Sequence, residues 1–514
     1  MSDIKNEATS TAPCERVRMQ APIRGEASCD YVLPDYMGDV KKLLKSTASA
    51  APCNKFVGSG EVSFLSIITY RVMYLDRDDA LWEANFTSEY EHSENIGEGF
   101  IDADCSIKVS NLSIRLQGPR KISAKAALSV VTSVSDETEI PSPTLPEGAE
   151  VECAPIMIHS AEFLAGSERE YAEEIGRLSG IPCESVEIIK HSATPTVEGY
   201  EVSESGITVR GEVDTAVLLR TSEGLVRLEK NFPFENTVGT DRIANDTEKY
   251  MPTVYVTDMN VSVNNEVSDS GSTSFYTSVV LSYTLECSLR ADRNNEYTVT
   301  TDAFVVGRDT KCEFESFEYG EFSGSVNDRR KISFEIPRDG TPLRELLDMD
   351  TELRSVSLTA ENAAVDISLL LSCTAVFSGD TAEMCNTVKC EQEISETIKF
   401  PSVTPDSTVY GNARLGNVSL TLDAEKLYFS ATLITDVGAV CKKETRLLRA
   451  AEWSEVLEGE RATVRVYYPD DGETLWSIAK SHGISVSDLM KYNPDAADDA
   501  KAPIKAKKLI IVNN

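Results

Sequence analysis

Chemistry in a protein usually starts with cysteines, histidines or paired carboxylates at short spacing, and this sequence holds all three residue types without such spacing. Its twelve cysteines stand at 14, 29, 53, 105, 153, 183, 287, 312, 373, 385, 390 and 441. Cys385 and Cys390 are the closest pair, yet no Cys-x-x-Cys occurs and no His stands beside them. A tetrahedral metal site takes a second pair of ligands, so the cysteines read as small apolar residues in a reducing compartment. The four histidines, His92, His159, His191 and His482, are far apart in sequence. No Ser or Cys sits in a G-x-S-x-G elbow, and neither a P-loop nor a G-x-G-x-x-G turn is present. Acidic residues number 84, but their spacing picks out no carboxylate pair for glycoside hydrolysis. They read as the solvated faces of strands. The sequence predicts no catalytic residue, no metal site and no cofactor: a non-enzyme.

The formal net charge is −34. A polyanion repels phosphate backbones and anionic lipid, so nucleic acid is not expected as a partner and a basic or neutral protein fits better. Hydrophobic content of 41% and charged content of 26% are those of an ordinary globular protein. The first residues, MSDIKNEATSTAPCERVRMQ, lack an apolar run flanked by basic residues, and no stretch approaches membrane-span length. A cytoplasmic protein without direct membrane insertion is the expectation.

The elements behind these residues repeat. Three segments show helix-like apolar spacing: 29–50, 157–180 and 332–355. Met37, Val40, Leu43 and Leu44 would share one helical face in the first, and Leu343, Leu346 and Leu347 in the third, with Pro342 at a helix start. Each segment precedes long alternating strands, 61–91, 207–235 and 364–393, and then a second paired block, 105–131, 259–285 and 416–437, with Gly271 as one turn. The expected fold class is α+β: three β-rich repeat domains, each with a short helix, at 15–135, 153–290 and 305–437, plus a small domain at 463–514.

That last stretch changes character. Val464, Val466 and Tyr468 alternate as a strand, and Thr474 can cap a helix with apolar Leu475, Ile478 and Ala479 that ends at Gly483. Ser485, with Asp488 three residues on, opens a second helix that Asn493-Pro494 stops; Leu509–Val512 is a final strand. The order is β-α-α-β. From residue 463 on there are seven basic residues (Arg465 and six Lys) and seven acidic ones, so the whole −34 lies in residues 1–462. A helix-turn-helix reading of 479–493 fails on charge, since the second helix sets one Lys491 against Asp488.

The tail resembles a LysM domain. The matching residues are Tyr468, Gly472-Glu473-Thr474-Leu475-Trp476, Ile478-Ala479, Gly483-Ile484-Ser485, Leu489, Asn493-Pro494, Leu509 and Ile511. The resemblance implies a shallow groove for glycans containing N-acetylglucosamine, such as peptidoglycan. Gly472, Glu473, Thr474, Leu475 and Trp476 would form one side; Asn493, Pro494, Asp495 and Ile504 would form the other. The repeats resemble the spore-coat-associated SPOCS repeat, with PFE at 233–235 as the clearest match, and the combination is similar to SipL-like spore-envelope proteins. That resemblance implies a non-enzymatic scaffold on the mother-cell side, at the forespore surface. Its LysM domain would dock a spore-coat morphogenetic protein, the basal-layer ATPase.

Overall fold

The computed structural model describes residues 11–204, 206–240, 248–267, 275–337, 343–379, 385–423, 426–454, 464–497 and 499–512. Gly271 and Pro342 lie outside these residues. The first part of the chain forms β1 (Thr11–Met19), β2 (Ile23–Val32), β3 (Val40–Ala50), β4 (Asn54–Val57), β5 (Glu61–Asp76), β6 (Leu81–Asn95), β7 (Phe100–Gly118) and β8 (Lys121–Pro141). Then follow β9 (Ala149–Ser179), β10 (Glu187–Ser203), β11 (Gly206–Thr221), β12 (Gly224–Val238), β13 (Lys249–Val267) and β14 (Phe275–Val305). The third part forms β15 (Thr310–Ile336), β16 (Leu346–Glu361), β17 (Ala364–Ser378), β18 (Cys385–Lys399), β19 (Thr408–Asp423) and β20 (Lys426–Trp453). The tail holds β21 (Val464–Tyr467), α1 (Leu475–His482), α2 (Val486–Tyr492) and β22 (Leu509–Val512).

The expected α+β class with a short helix in each repeat is wrong. Among the described residues both α-helices belong to the tail, and the body is built of antiparallel strands. Bulges explain the misleading spacing. In β3 the register against β5 slips between Val40 and Lys42 and again between Leu43 and Lys45. Each slip inserts a residue and resets the two-residue alternation, so inward side chains recur three or four apart as on a helix. In β9 the slip opposite Val279/Val280 falls at Ile175, so Tyr171, Ile175 and Leu178 mimic a helical stripe while packing into a sheet core. In β16 it falls between Leu346 and Asp348. Good helix formers such as the Glu-rich run at 168–174 are overridden by pairing with β14.

Sheets come in facing pairs. The sheet β1-β8-β2, with β7 on β8, packs on β3-β5-β4, with β6 on β5, over a core that includes Phe64, Tyr70, Phe86, Ile122 and Leu128. The sheets β10-β11-β12 and β13-β14-β9 enclose Val209, Val213, Phe234 and Leu281; β16-β17-β18 and β15-β20-β19 enclose Ile367, Leu371, Phe377 and Phe429. Turn chemistry sets the hairpins. After β5 the Asp76 carboxylate accepts hydrogen bonds from Asp78 N (2.9 Å), Ala80 N (2.8 Å) and Trp82 Nε1 (2.7 Å).

The β5 burial pattern alternates along the strand and then becomes continuous from Val72 to Asp76. That end is covered on both faces, because a further core joins all three pairs. Leu44, Met73, Leu75 and Leu81 meet Leu218, Leu347, Val376 and Cys385 there. The same slip recurs in β10, between Ile188 and Lys190. Each bulge turns two consecutive residues inward: Leu44-Lys45, Ile189-Lys190 and Leu347-Asp348. The apolar member joins the core and the charged member joins a buried cluster. Lys45 pairs with Asp348 and Asp350, while Lys190 lies 2.9 Å from Asp348, 3.0 Å from Asp350 and 3.9 Å from Glu83. Burial opposes charge on Lys190, but Asp350 and Asp348 outweigh it and hold its pKa up. For Asp350 burial is likewise outweighed by Lys190 and Lys45, which hold its carboxyl below the usual range.

Glu83 goes the other way: burial pushes its pKa from 4.5 up to about 7, ahead of the opposing pull of Lys190. The native state therefore keeps a proton that the unfolded chain has lost. The stabilisation is full below pH 4.5 and is lost as the pH rises through about 7. Glu83→Gln should remove this slope, worth roughly 3 kcal/mol across the window. Urea midpoints at pH 4.5, 6 and 8 should show the variant gaining on the parent chain as the pH rises; parallel curves refute the assignment.

Candidate functional site

In the tail, β21 and β22 pair antiparallel from Val464↔Val512 to Tyr467↔Leu509. Thr474 caps α1: its hydroxyl accepts from Ser477 N (3.1 Å), and Ser477 Oγ receives Thr474 N (3.0 Å), which closes a capping box. Gly483 ends α1 at φ 63°, in the left-handed region. Ser485 stands at the N-cap of α2 without a capping hydrogen bond; its hydroxyl pairs with that of Ser487 instead. Leu475, Ile478, Ala479, Leu489, Leu509 and Ile511 form the tail core.

Two loops, 468–474 and the described residues 493–497 and 499–508, lie side by side. They are joined by a bridge between Thr474 and Pro503 and by a hydrogen bond from Trp476 N to Ala500 O (3.0 Å), and Lys505 N donating to Ala496 O (2.7 Å) closes the second loop on itself. The first loop turns at Gly472, whose φ of 91° an L side chain rarely adopts. Glu473 then braces it by accepting Tyr467 Oη (2.9 Å) and Asp470 N (2.9 Å). That hydrogen bond raises the Tyr467 phenol above its ordinary pKa. Asn493 braces the second loop. Its amide donates to Leu489 O (2.8 Å) and Ile510 O (2.8 Å) and accepts from Ile510 N (2.7 Å), so it both ends α2 and pairs with β22 as a strand would.

The candidate residues divide accordingly. Gly472, Pro494 and Asp495 are exposed, and Ile504 is half-buried. Glu473, Thr474 and Asn493 hold the loops in shape, and Leu475 is core. Trp476 is 8% exposed and faces the body: its indole Nε1 donates to Asp302 (2.9 Å), and its ring meets Phe304 edge-on at 5.1 Å. Lys480 also pairs with Asp302, Gly483 O accepts from Gly307 N (3.0 Å), and Lys501 donates to Cys153 O (2.7 Å). Asp302, Phe304 and Cys153 escaped sequence reasoning because they lie in ordinary strands far along the chain; Asp302 is 174 positions from Trp476.

Elsewhere, among the described residues, no cluster of His, Cys, Asp or Glu could hold a metal, and no helix is long and apolar enough to cross a membrane. His159 Nε2 lies 2.8 Å from Asp292, but the pair is closed off, His159 being 3% exposed, and burial lowers the imidazole pKa. A surface cleft of about 460 Å³, lined by Phe314, Glu315, Ser316, Glu444, Thr445 and Arg446, contains none of the candidate residues.

Comparison with known proteins assigns a LysM domain to residues 471–512. LysM domains are binding rather than catalytic modules and take glycans such as peptidoglycan. No curated protein and no solved structure matches the chain. The spore-coat repeat resemblance of the body is thus supported by no relative.

Asn493→Ala removes three hydrogen bonds at one stroke, each worth about 1 kcal/mol net. Hydrogen–deuterium exchange at the Ile510 amide should rise by one to two orders of magnitude. Unchanged protection would show that the second loop does not depend on this side chain.

Proposed function

We propose that this chain is a non-catalytic binding protein whose tail takes N-acetylglucosamine-containing glycan, such as peptidoglycan, between the two tail loops. The observation that carries this reading is the pairing of those loops at fixed separation within the LysM domain at 471–512. A sugar offers apolar ring faces and hydroxyls. The exposed turn at Gly472, the ring of Pro494, the side chain of Ile504 and nearby main-chain groups offer apolar contact and hydrogen bonds in return. In this reading the three facing sheet pairs are repeat units of a support that positions the tail.

The full chain should co-sediment with purified peptidoglycan sacculi, and soluble N-acetylglucosamine oligomers should compete it off. Ile504→Asp, which puts a charge on the groove, should weaken retention about tenfold or more. A chain that stays wholly in the supernatant overturns the reading.

A second reading is favoured by one surface. The β21–β22 face turned away from the helices carries Val464 (60% exposed), Val466 (57%) and Ile510 (43%), and Tyr468 (70%) follows directly after β21. Apolar residues gathered like this suit a protein partner. In that reading the chain is a spore-envelope scaffold in the mother-cell cytosol, and this face docks the coat's basal-layer morphogenetic ATPase. Val466→Asp should then abolish capture of that partner while sacculus retention persists.

A further inference from the structure

All twelve cysteines are free, and two of them meet across the first sheet pair. Cys53 stands directly before β4, on one sheet; Cys105 lies in β7, on the facing sheet. Their thiols share a hydrogen bond. Cys105 belongs to the core between the sheets, and Cys53 packs against that core. Lys55, two residues on, crosses the same gap: its ammonium pairs with Asp102 and donates to Ala103 O (3.2 Å). The start of β4 is thus held beside Cys105 by two separate contacts.

Another pair of cysteines is close only in register. Cys373 of β17 lies opposite Cys390 of β18. Phe400 N donates to Ala363 O (3.0 Å), which makes that rung a hydrogen-bonded one, and Cys373↔Cys390 follows an even number of rungs later without a slip. Bonded rungs hold their Cα atoms about 5.5 Å apart, against about 4.5 Å on the alternate rungs. A disulfide wants its Cβ atoms about 3.8 Å apart, so this pair is poorly placed to close one.

We propose that Cys53 and Cys105 are a dithiol site that a small-molecule disulfide converts to a protein disulfide, stapling the start of β4 to the facing sheet. The proposal does not depend on what the tail binds. The thiolate of Cys53, the more exposed of the two, attacks one sulfur of oxidised glutathione and releases one glutathione thiolate, which takes up the Cys53 proton. The thiolate of Cys105 then attacks the Cys53 sulfur of the mixed disulfide, and the second glutathione leaves with the Cys105 proton. Two protein thiols are oxidised, one glutathione disulfide is reduced to two thiols, and one S–S bond replaces another. The Cys105 thiol, and then burial, hold the Cys53 pKa well above its ordinary value, so the first attack is slow at neutral pH and quickens as the pH rises. β4 has the most to gain, since it is a four-residue edge strand exposed along its whole length.

The test equilibrates the reduced full chain in glutathione buffers of rising oxidised fraction, alkylates it, digests it without reduction and maps the peptides by mass spectrometry. A cross-linked peptide containing Cys53 and Cys105 should form first, while Cys373 and Cys390 alkylate as free thiols. Its rate of formation should rise about tenfold from pH 7 to pH 8. Amide exchange across residues 54–57 should slow about tenfold or more in the oxidised chain, and Cys53→Ser should abolish both the link and the slowing. Cys105→Ala, which keeps the core apolar, should leave Cys53 carrying a glutathione adduct. The site is overturned by an adduct on Cys53 of the parent chain that never resolves, by a Cys373–Cys390 link that forms equally well, or by a Cys53–Cys105 link that forms only in urea. A chain whose twelve thiols all alkylate at every buffer ratio overturns it as well.

Discussion

A charge taken out of water costs several kcal/mol unless an opposite charge meets it in good geometry, and breaking a buried pair is worse than never having made it. Lys45, Lys190 and Asp348 come from three separate sheet pairs, and each is at most 4% exposed. Sliding one pair against another by a residue would strand an ammonium or a carboxylate in the core. The surrounding apolar residues could tolerate several packings, since Leu44, Leu75, Leu218 and Leu347 are much alike in size. The ion cluster therefore selects one arrangement more than it adds stability. It constrains how the three sheet pairs meet, and β14, which carries the seat of the tail, belongs to one of them.

The bulges produce that cluster. A regular strand sends neighbouring residues to opposite faces, so it cannot deliver a leucine and a lysine to the same side in succession. One inserted residue does so, at Leu44, Ile189 and Leu347 alike. The cost is local: a few ladder bonds lost and a sharper twist. The same insertions explain why the sequence is deceptive. Val40, Leu43 and Leu44, or Tyr171, Ile175 and Leu178, carry the spacing of an amphipathic helix because a broken two-residue period resembles a longer one. The alternation in β5, β11 and β17 is unbroken where they face their partner sheets, and there strands and hairpins can be read directly.

The tail was legible for the opposite reason. Its determinants are local: a Thr capping box, a left-handed Gly483, Asn493 before a proline, and short apolar runs that fix which faces are buried. What could not be read was the side on which the tail sits against the body. Asp302 has no distinguishing neighbours in TTDAFVVG, and its role exists only because Trp476 and Lys480 arrive from elsewhere in the chain. Trp476 itself was ambiguous. An indole beside a groove can be a platform or a packing residue, and its surroundings decide which.

Those surroundings make Trp476 a fastening, and this changes what kind of groove remains. With Trp476 turned into the body and Leu475 in the core, the candidate residues open to solvent are Gly472, Pro494 and Asp495, with Ile504 half-buried. Glu473, through Tyr467 and Asp470, and Asn493, through the N–H and C=O of Ile510, hold the loops in shape. The tail's neutrality fits the same picture, because an uncharged saccharide presents no charge to match, whereas the −34 of the rest keeps other polyanions at a distance.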